Sequence, residues 1–313
     1  MSYRTIKAQS FHSSLMALVR DHSSEQKKMV VVVSASELDF ESITELSTNG
    51  HSHLIDALHL PFEIIEDKEQ ASKVAHYLMG LLILKAKEIH GALNRLLIQK
   101  SNDGFTPLHE ALISGNAQNM QVYFDEVRQA VTANKISAAE YKQLLIGANA
   151  AGFTPLHQAL KSGNAQNMQV YFDEVRQAVT ANKISAAEYK QLLIGANAAG
   201  FTPLHQAANS GIYEIYFEYR KALAKFDGDG SVTRTLLFAK TRNGYTPSCQ
   251  RGPNKRDCDR INRALNTERD KFYPQGGDVA QAAPVSSPQS QRLFGSRRDN
   301  SAGAGNSSLA FRR

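Results

Sequence analysis

One string governs what this chain can fold into: Gly-Phe-Thr-Pro-Leu-His stands at 104–109, again at 152–157 and again at 200–205, 48 residues apart each time. Residues 104–151 and 152–199 agree at 46 of 48 positions, differing only at Glu110/Gln158 and Ile113/Lys161. A degraded copy, Gly-Tyr-Thr-Pro-Ser-Cys, starts at Gly244, and a fainter one at Gly50 shares Ser52, Leu54, Ala57 and Leu58 with the pattern of 152–160. Five units starting at 50, 104, 152, 200 and 244 are expected, because self-similarity at a fixed period of this size marks a stacked-repeat architecture.

Each unit reads as helices. Thr106 is placed to cap a short helix A, with Pro107 at its first turn, where a missing N–H costs nothing. Leu108, Ala111 and Leu112 fall on one face, and Gly115 ends the helix. Helix B is predicted over about 117–133, with Met120, Tyr123, Phe124, Val127 and Val131 on one stripe. Asn134 to Ile136 turn the chain. Ser137 and Glu140 then form a capping box for helix C, which runs to about Ile146 with Tyr141, Leu144 and Leu145 inward. The reading repeats with Ser185 and Glu188, and the unit from 200 caps its last helix with Ser231. A lone unit leaves its apolar stripe bare, so neighbours must stack into an all-α solenoid.

Composition sets outer limits. Of the 313 residues, 42% are hydrophobic and 21% charged, enough to bury a core and too few charges for wholesale disorder. The net charge of +6 lies wholly in 251–313, with 12 basic and 6 acidic residues; the rest carries 24 of each sign. A basic tail on a neutral body is not a track for phosphates, so nucleic acid is not an expected partner. The longest apolar run, Tyr77 to Leu84, cannot cross a bilayer. Two cysteines are too few to staple the fold and point to a reducing compartment or to indifference to one. Segment 1–49 reads as an N-terminal cap with one amphipathic stretch (Phe11, Leu15, Leu18, Val19) and a β-like run, Met29 to Val33. Residues 251–273 read as a C-terminal capping helix, and 274–313 as a disordered tail.

The phrase G-[FY]-T-P-L-H-x-A, followed by Gly and later Leu-Leu, resembles the ankyrin repeat across about 50–250. The resemblance implies that Thr106, His109, Thr154, His157, Thr202 and His205 tie neighbouring backbone together. It also implies a concave surface lined by helix A that binds another protein. The unit departs from the family's 33 residues: only six residues link Leu145 to Gly152, so the hairpin fingers should be short or absent, and helix C is added. The fourth motif has lost Leu-His to Ser248 and Cys249. The make-up is also similar to ankyrin-repeat effectors that intracellular bacterial pathogens inject into a host through a type IV secretion system. That likeness implies a host protein as partner and a translocation signal near Ser307 to Arg313.

Chemistry finds little purchase. Seven histidines stand outside the repeat motif; His51 and His53 lack an acidic or Cys partner at metal spacing, and neither a metal nor a cofactor is expected. Cys249, near Arg251, would be the nucleophile of a cysteine-protease-like alternative. Asp227-Gly-Asp229-Gly-Ser231 fails the calcium loop at its sixth and twelfth positions and reads as a turn. Leu60 to Ile65 is similar to the start of an F-box, which keeps a ubiquitin-ligase adaptor as a second alternative. The leading expectation is a monomeric, non-catalytic interaction scaffold. Its partner-binding residues would form two tracks on the face opposite Leu108: Glu110, Gln158 and Gln206, and Ile113, Lys161 and Asn209. Tyr213 of the stripe Tyr213, Tyr216, Tyr219 is the remaining candidate.

Overall fold

The computed structural model describes residues 39–46, 50–113, 116–250 and 252–272, with two isolated positions at 13 and 17. The amphipathic stretch at 11–19, the run 29–33, Gly115 and the tail from 274 lie outside the described residues. The described residues from 39 to 272 belong to one compact unit. Its described helices are α1 (Phe40–Thr44), α2 (His53–Ile64), α3 (Lys68–Glu88), α4 (Ala92–Ile98), α5 (Pro107–Ile113), α6 (Ala117–Thr132), α7 (Ala138–Ile146), α8 (Pro155–Lys161), α9 (Ala165–Thr180), α10 (Ala186–Ile194), α11 (Pro203–Asn209), α12 (Tyr213–Ala224), α13 (Ser231–Phe238) and α14 (Lys255–Phe272). No strand occurs among the described residues.

Local chemistry sets the boundaries. Thr154 and Thr202 cap α8 and α11, each with Pro in the first turn. Asn116 and Asn164 cap α6 and α9 through side-chain oxygens. Ser137–Glu140 and Ser185–Glu188 form capping boxes at α7 and α10. Asn134 and Asn182 adopt φ of 54° and 55° and close helix B, a left-handed position that Asn tolerates. Ser231 departs from expectation, being the first residue inside α13. Its cap is assembled by Asp229, which accepts from the Ser231 amide at 3.0 Å, and Asp227, which accepts from Val232 and Thr233 at 2.9 and 2.7 Å. Two carboxylates reach further back than one serine, so the Asp-Gly-Asp-Gly turn is a helix cap. Leu60 to Ile64, within the F-box-like stretch, finish α2, with Pro61 inside it.

The helices form an all-α solenoid. Three rows run through it. The A row is α2, α5, α8 and α11, each packed on the next, and the B row is α3, α6, α9 and α12. The C helices α4, α7, α10 and α13 each reach the following unit, touching α6, α8, α11 and α14 respectively. Among its described residues the unit from 244 has no helix A; with Ser248 and Cys249 replacing Leu-His, 244–250 run irregularly, and α14 lies against α11, α12 and α13. The apolar stripes merge into one core from Ile43 to Leu265.

Three polar ladders register the units. The Tyr123, Tyr171 and Tyr219 hydroxyls donate to the carbonyls of Leu97, Leu145 and Leu193 one unit back, at 2.6 to 2.7 Å. The His109, His157 and His205 Nε2 groups donate to the carbonyls of Phe153, Phe201 and Tyr245 one unit ahead, at 3.0 to 3.1 Å. The inter-unit turns stack through single amide bonds: Asn102 to Gly50, Ala150 to Asp103, Ala198 to Ala151 and Arg242 to Ala199, at 2.9 to 3.0 Å. These one-bond turns are what remains of the expected fingers. Gly152 makes the close approach workable: its φ is +78°, and a Cβ there would sit 2.7 Å from the Ala198 nitrogen.

Candidate interaction surface

The A row offers less surface than its sequence suggests. In α8, Pro155 to Leu160 are all buried and only Lys161 is exposed; α5 and α11 behave alike, leaving Ile113 and Asn209 outside. The predicted track Glu110, Gln158, Gln206 is therefore corrected: these side chains are 4–6% exposed and lie between successive helices, out of reach of a partner. The other track, Ile113, Lys161, Asn209, sits on the surface. A seven-residue helix flanked on both sides by its own kind has no free face except its last turn.

The two differences between the duplicate units now separate. Glu110 is paired with His59 Nδ1 at 3.0 Å, and His59 occupies in α2 the place that Ile113 and Lys161 hold in α5 and α8. Gln158 meets Ile113's helix instead and needs no charge. Glu110/Gln158 thus answers to the preceding unit, whereas Ile113/Lys161 lies where packing dictates little. Nearby, Asp56 accepts from His51 Nδ1 at 3.0 Å, and that bond raises the imidazole's pKa above its ordinary value. His51 therefore does have an acidic partner, five residues on, and the His51 and His59 rings meet edge to face at 6.1 Å. His53 is bound to the Ser42 carbonyl. No group of three or more His, Cys, Asp or Glu among the described residues could hold a metal ion.

What the stack exposes is a groove of about 900 Å³ over the turns between the A and B rows of the first three units. Phe62 and Ile65 wall one end, Ile113 and Asn116 the middle, and Gly163 and Asn164 the other end. Ile113 is 39% exposed. Sequence reasoning found Ile113 but missed the groove, because its walls come from turns 50 residues apart. Tyr216 and Tyr219 are core, while Tyr213 is half-buried with Arg260 stacked over its ring at 3.7 Å and Phe217 beside it at 6.1 Å.

The expected nucleophile is not available. Cys249 and Cys258 are joined as a disulfide, their Cα atoms 5.2 Å apart, so Cys249 carries no thiol in this form. The bond ties the irregular run after Gly244 to α14; sequence spacing gave no sign of it, and the two cysteines do staple this end of the chain.

No family model matches the chain, and neither does any curated protein. Among solved structures, the ankyrin repeat domain of human ASB11 aligns over 85% of this chain and 99% of its own, at 16% identity and a TM-score of 0.34. No described helix is long and apolar enough to cross a membrane.

Proposed function

We propose that the chain is an ankyrin-like protein–protein interaction scaffold with no catalysis of its own, acting as a monomer through the groove over the A–B turns. One observation carries this reading. Between two units identical at 46 positions, Ile113 and Lys161 differ at a site exposed in both, so the difference changes the surface and not the packing. Ile113 lines the groove, and Lys161, Asn209 and Tyr213 extend the proposed contact beyond it; Glu110, Gln158 and Gln206 act behind them by setting the register of the A row. A double variant, Ile113→Asp with Lys161→Glu, tests it. Affinity capture should lose its partner while stability changes by no more than about 0.5 kcal/mol, as for surface positions. Unchanged capture would sink the groove reading.

The make-up similar to pathogen effectors supports a further part of the proposal, delivery into a host cell and a host protein as partner. A translocation reporter fused to the chain, with and without 274–313, tests that part.

A further inference from the structure

The junctions between units carry an internal comparison. Where the second unit meets the third, Glu174 of α9 is 2% exposed and is held by two donors from the unit before. Arg128 Nη1 reaches one carboxylate oxygen at 2.5 Å and the Tyr141 hydroxyl reaches the other at 2.5 Å. Both donors recur one unit on, as Arg176 and Tyr189. The acid does not. Tyr171 and Tyr219 make the same bond 48 residues apart, which fixes the register and puts Ala222 where Glu174 stood.

The consequence is visible in the third-to-fourth junction. A cavity of about 200 Å³ opens there, lined by Arg176, Tyr189 and Ala222, with Lys221 and Lys225 at the mouth. Val179 and Phe226 form its apolar walls. Among the described residues Arg176 keeps only the partner within its own helix, Asp173, as Arg128 keeps Asp125. The Tyr189 ring is fixed edge-on against Phe226 at 5.0 Å, and its hydroxyl makes no hydrogen bond among the described residues. Burial raises the Tyr189 pKa, so the hydroxyl keeps its proton and remains a donor. One acid lines the cavity, Glu218, and it is turned to Lys221 at 3.4 Å.

We propose that this cavity is a carboxylate-binding site that takes a glutamate side chain of a partner polypeptide. Arg176 and Tyr189 would bind its two oxygens as Arg128 and Tyr141 bind Glu174, and Val179 and Phe226 would cover its methylenes. A carboxylate is favoured because the same fold already shows these two donors saturated by one. A charged acceptor shared by Arg and a hydroxyl makes short, strong bonds. The site stands apart from the groove proposed above and does not rest on it.

The test uses the full chain, isotopically labelled, followed through the Arg176 Nε–H and Tyr189 ring signals. A blocked tripeptide with a central glutamate should shift both signals saturably; its glutamine counterpart should not. Acetate should act weakly at the same signals, showing that the headgroup alone is read. Tyr189→Phe and Arg176→Gln should each weaken binding about tenfold. Ala222→Glu should refill the cavity from within, abolish binding and raise the melting temperature. Ile113→Asp with Lys161→Glu should leave binding intact. Equal binding of the glutamine peptide, preference for inorganic phosphate, or undiminished binding by Ala222→Glu would overturn the proposal. So would a fall in melting temperature in Ala222→Glu, since the donor pair would then not be the one seen around Glu174.

Discussion

At the scale of single residues, the repeat histidines show how a motif turns into thermodynamics. The ring of His109 accepts from the Thr106 amide at 3.2 Å through Nδ1 and donates forward through Nε2. That pattern needs the neutral ring. Burial pushes the His109 and His157 pKa down from 6.5 to about 4, and lowers that of His205 as well. Below about pH 6.5 the unfolded chain binds protons that the fold refuses, so stability falls as pH drops from 6.5 towards 4, by roughly 3 kcal/mol for each of His109 and His157. His51 has the opposite sign: its raised pKa lends stability below 6.5 that fades as pH rises through the raised value. Two buried histidines outweigh one partly exposed pair, so chemical denaturation should show a net loss on acidification, and His157→Gln should flatten the curve. A Tyr171→Phe variant should cost about 1–3 kcal/mol in the same assay, by leaving the buried Leu145 carbonyl without its donor. The partners of these residues were legible in outline from the motif alone. That each histidine's second bond lands on the next unit is not a sequence property, because the acceptor is a plain backbone carbonyl 40 or 44 residues away.

At the scale of helices, the sequence was a good guide wherever the cause is local. N-cap side chains, Pro in a first turn and a Ser-x-x-Glu box act within four residues, and α5 to α10 lie within a residue or so of their expected limits. The guide failed where the cause is a neighbour. An apolar stripe of Leu108, Ala111 and Leu112 implies a free opposite face, yet α5 is wedged between α2 and α8 and loses that face as well. Likewise nothing in Cys249 or Cys258 announces that α14 will fold back and join them. Two measurements probe this scale. Leu156→Ala should cost about 2–5 kcal/mol, because a fully buried side chain leaves a cavity that flanking helices cannot close. Ser185→Ala should cost about 1 kcal/mol by removing the cap of α10.

For the molecule as a whole, the two nearly identical units make a controlled experiment. Removing 104–151 or removing 152–199 yields chains that differ at only two positions, because the deleted units differ only there. Both products should fold as stacks one layer shorter, since every ladder bond has the same donors and acceptors on either side of the cut. They should not be equally stable. The product lacking 152–199 keeps Glu110 against His59, while the product lacking 104–151 sets Gln158 there and loses that contact. The lost contact is a single hydrogen-bonded one, so the gap should be about 1 kcal/mol in a urea titration, favouring the chain that keeps Glu110.

The forward direction of the histidine bonds has one more outcome. Each imidazole is kept neutral by burial under the unit that follows it, so peeling the stack from its C-terminal end exposes one imidazole per layer, beginning with His205 once the Tyr245 turn lifts away. In mild acid every layer that comes off then takes up a proton. The protein thus tallies its own fraying in hydrogen ions, and a pH-stat would read how many layers have opened.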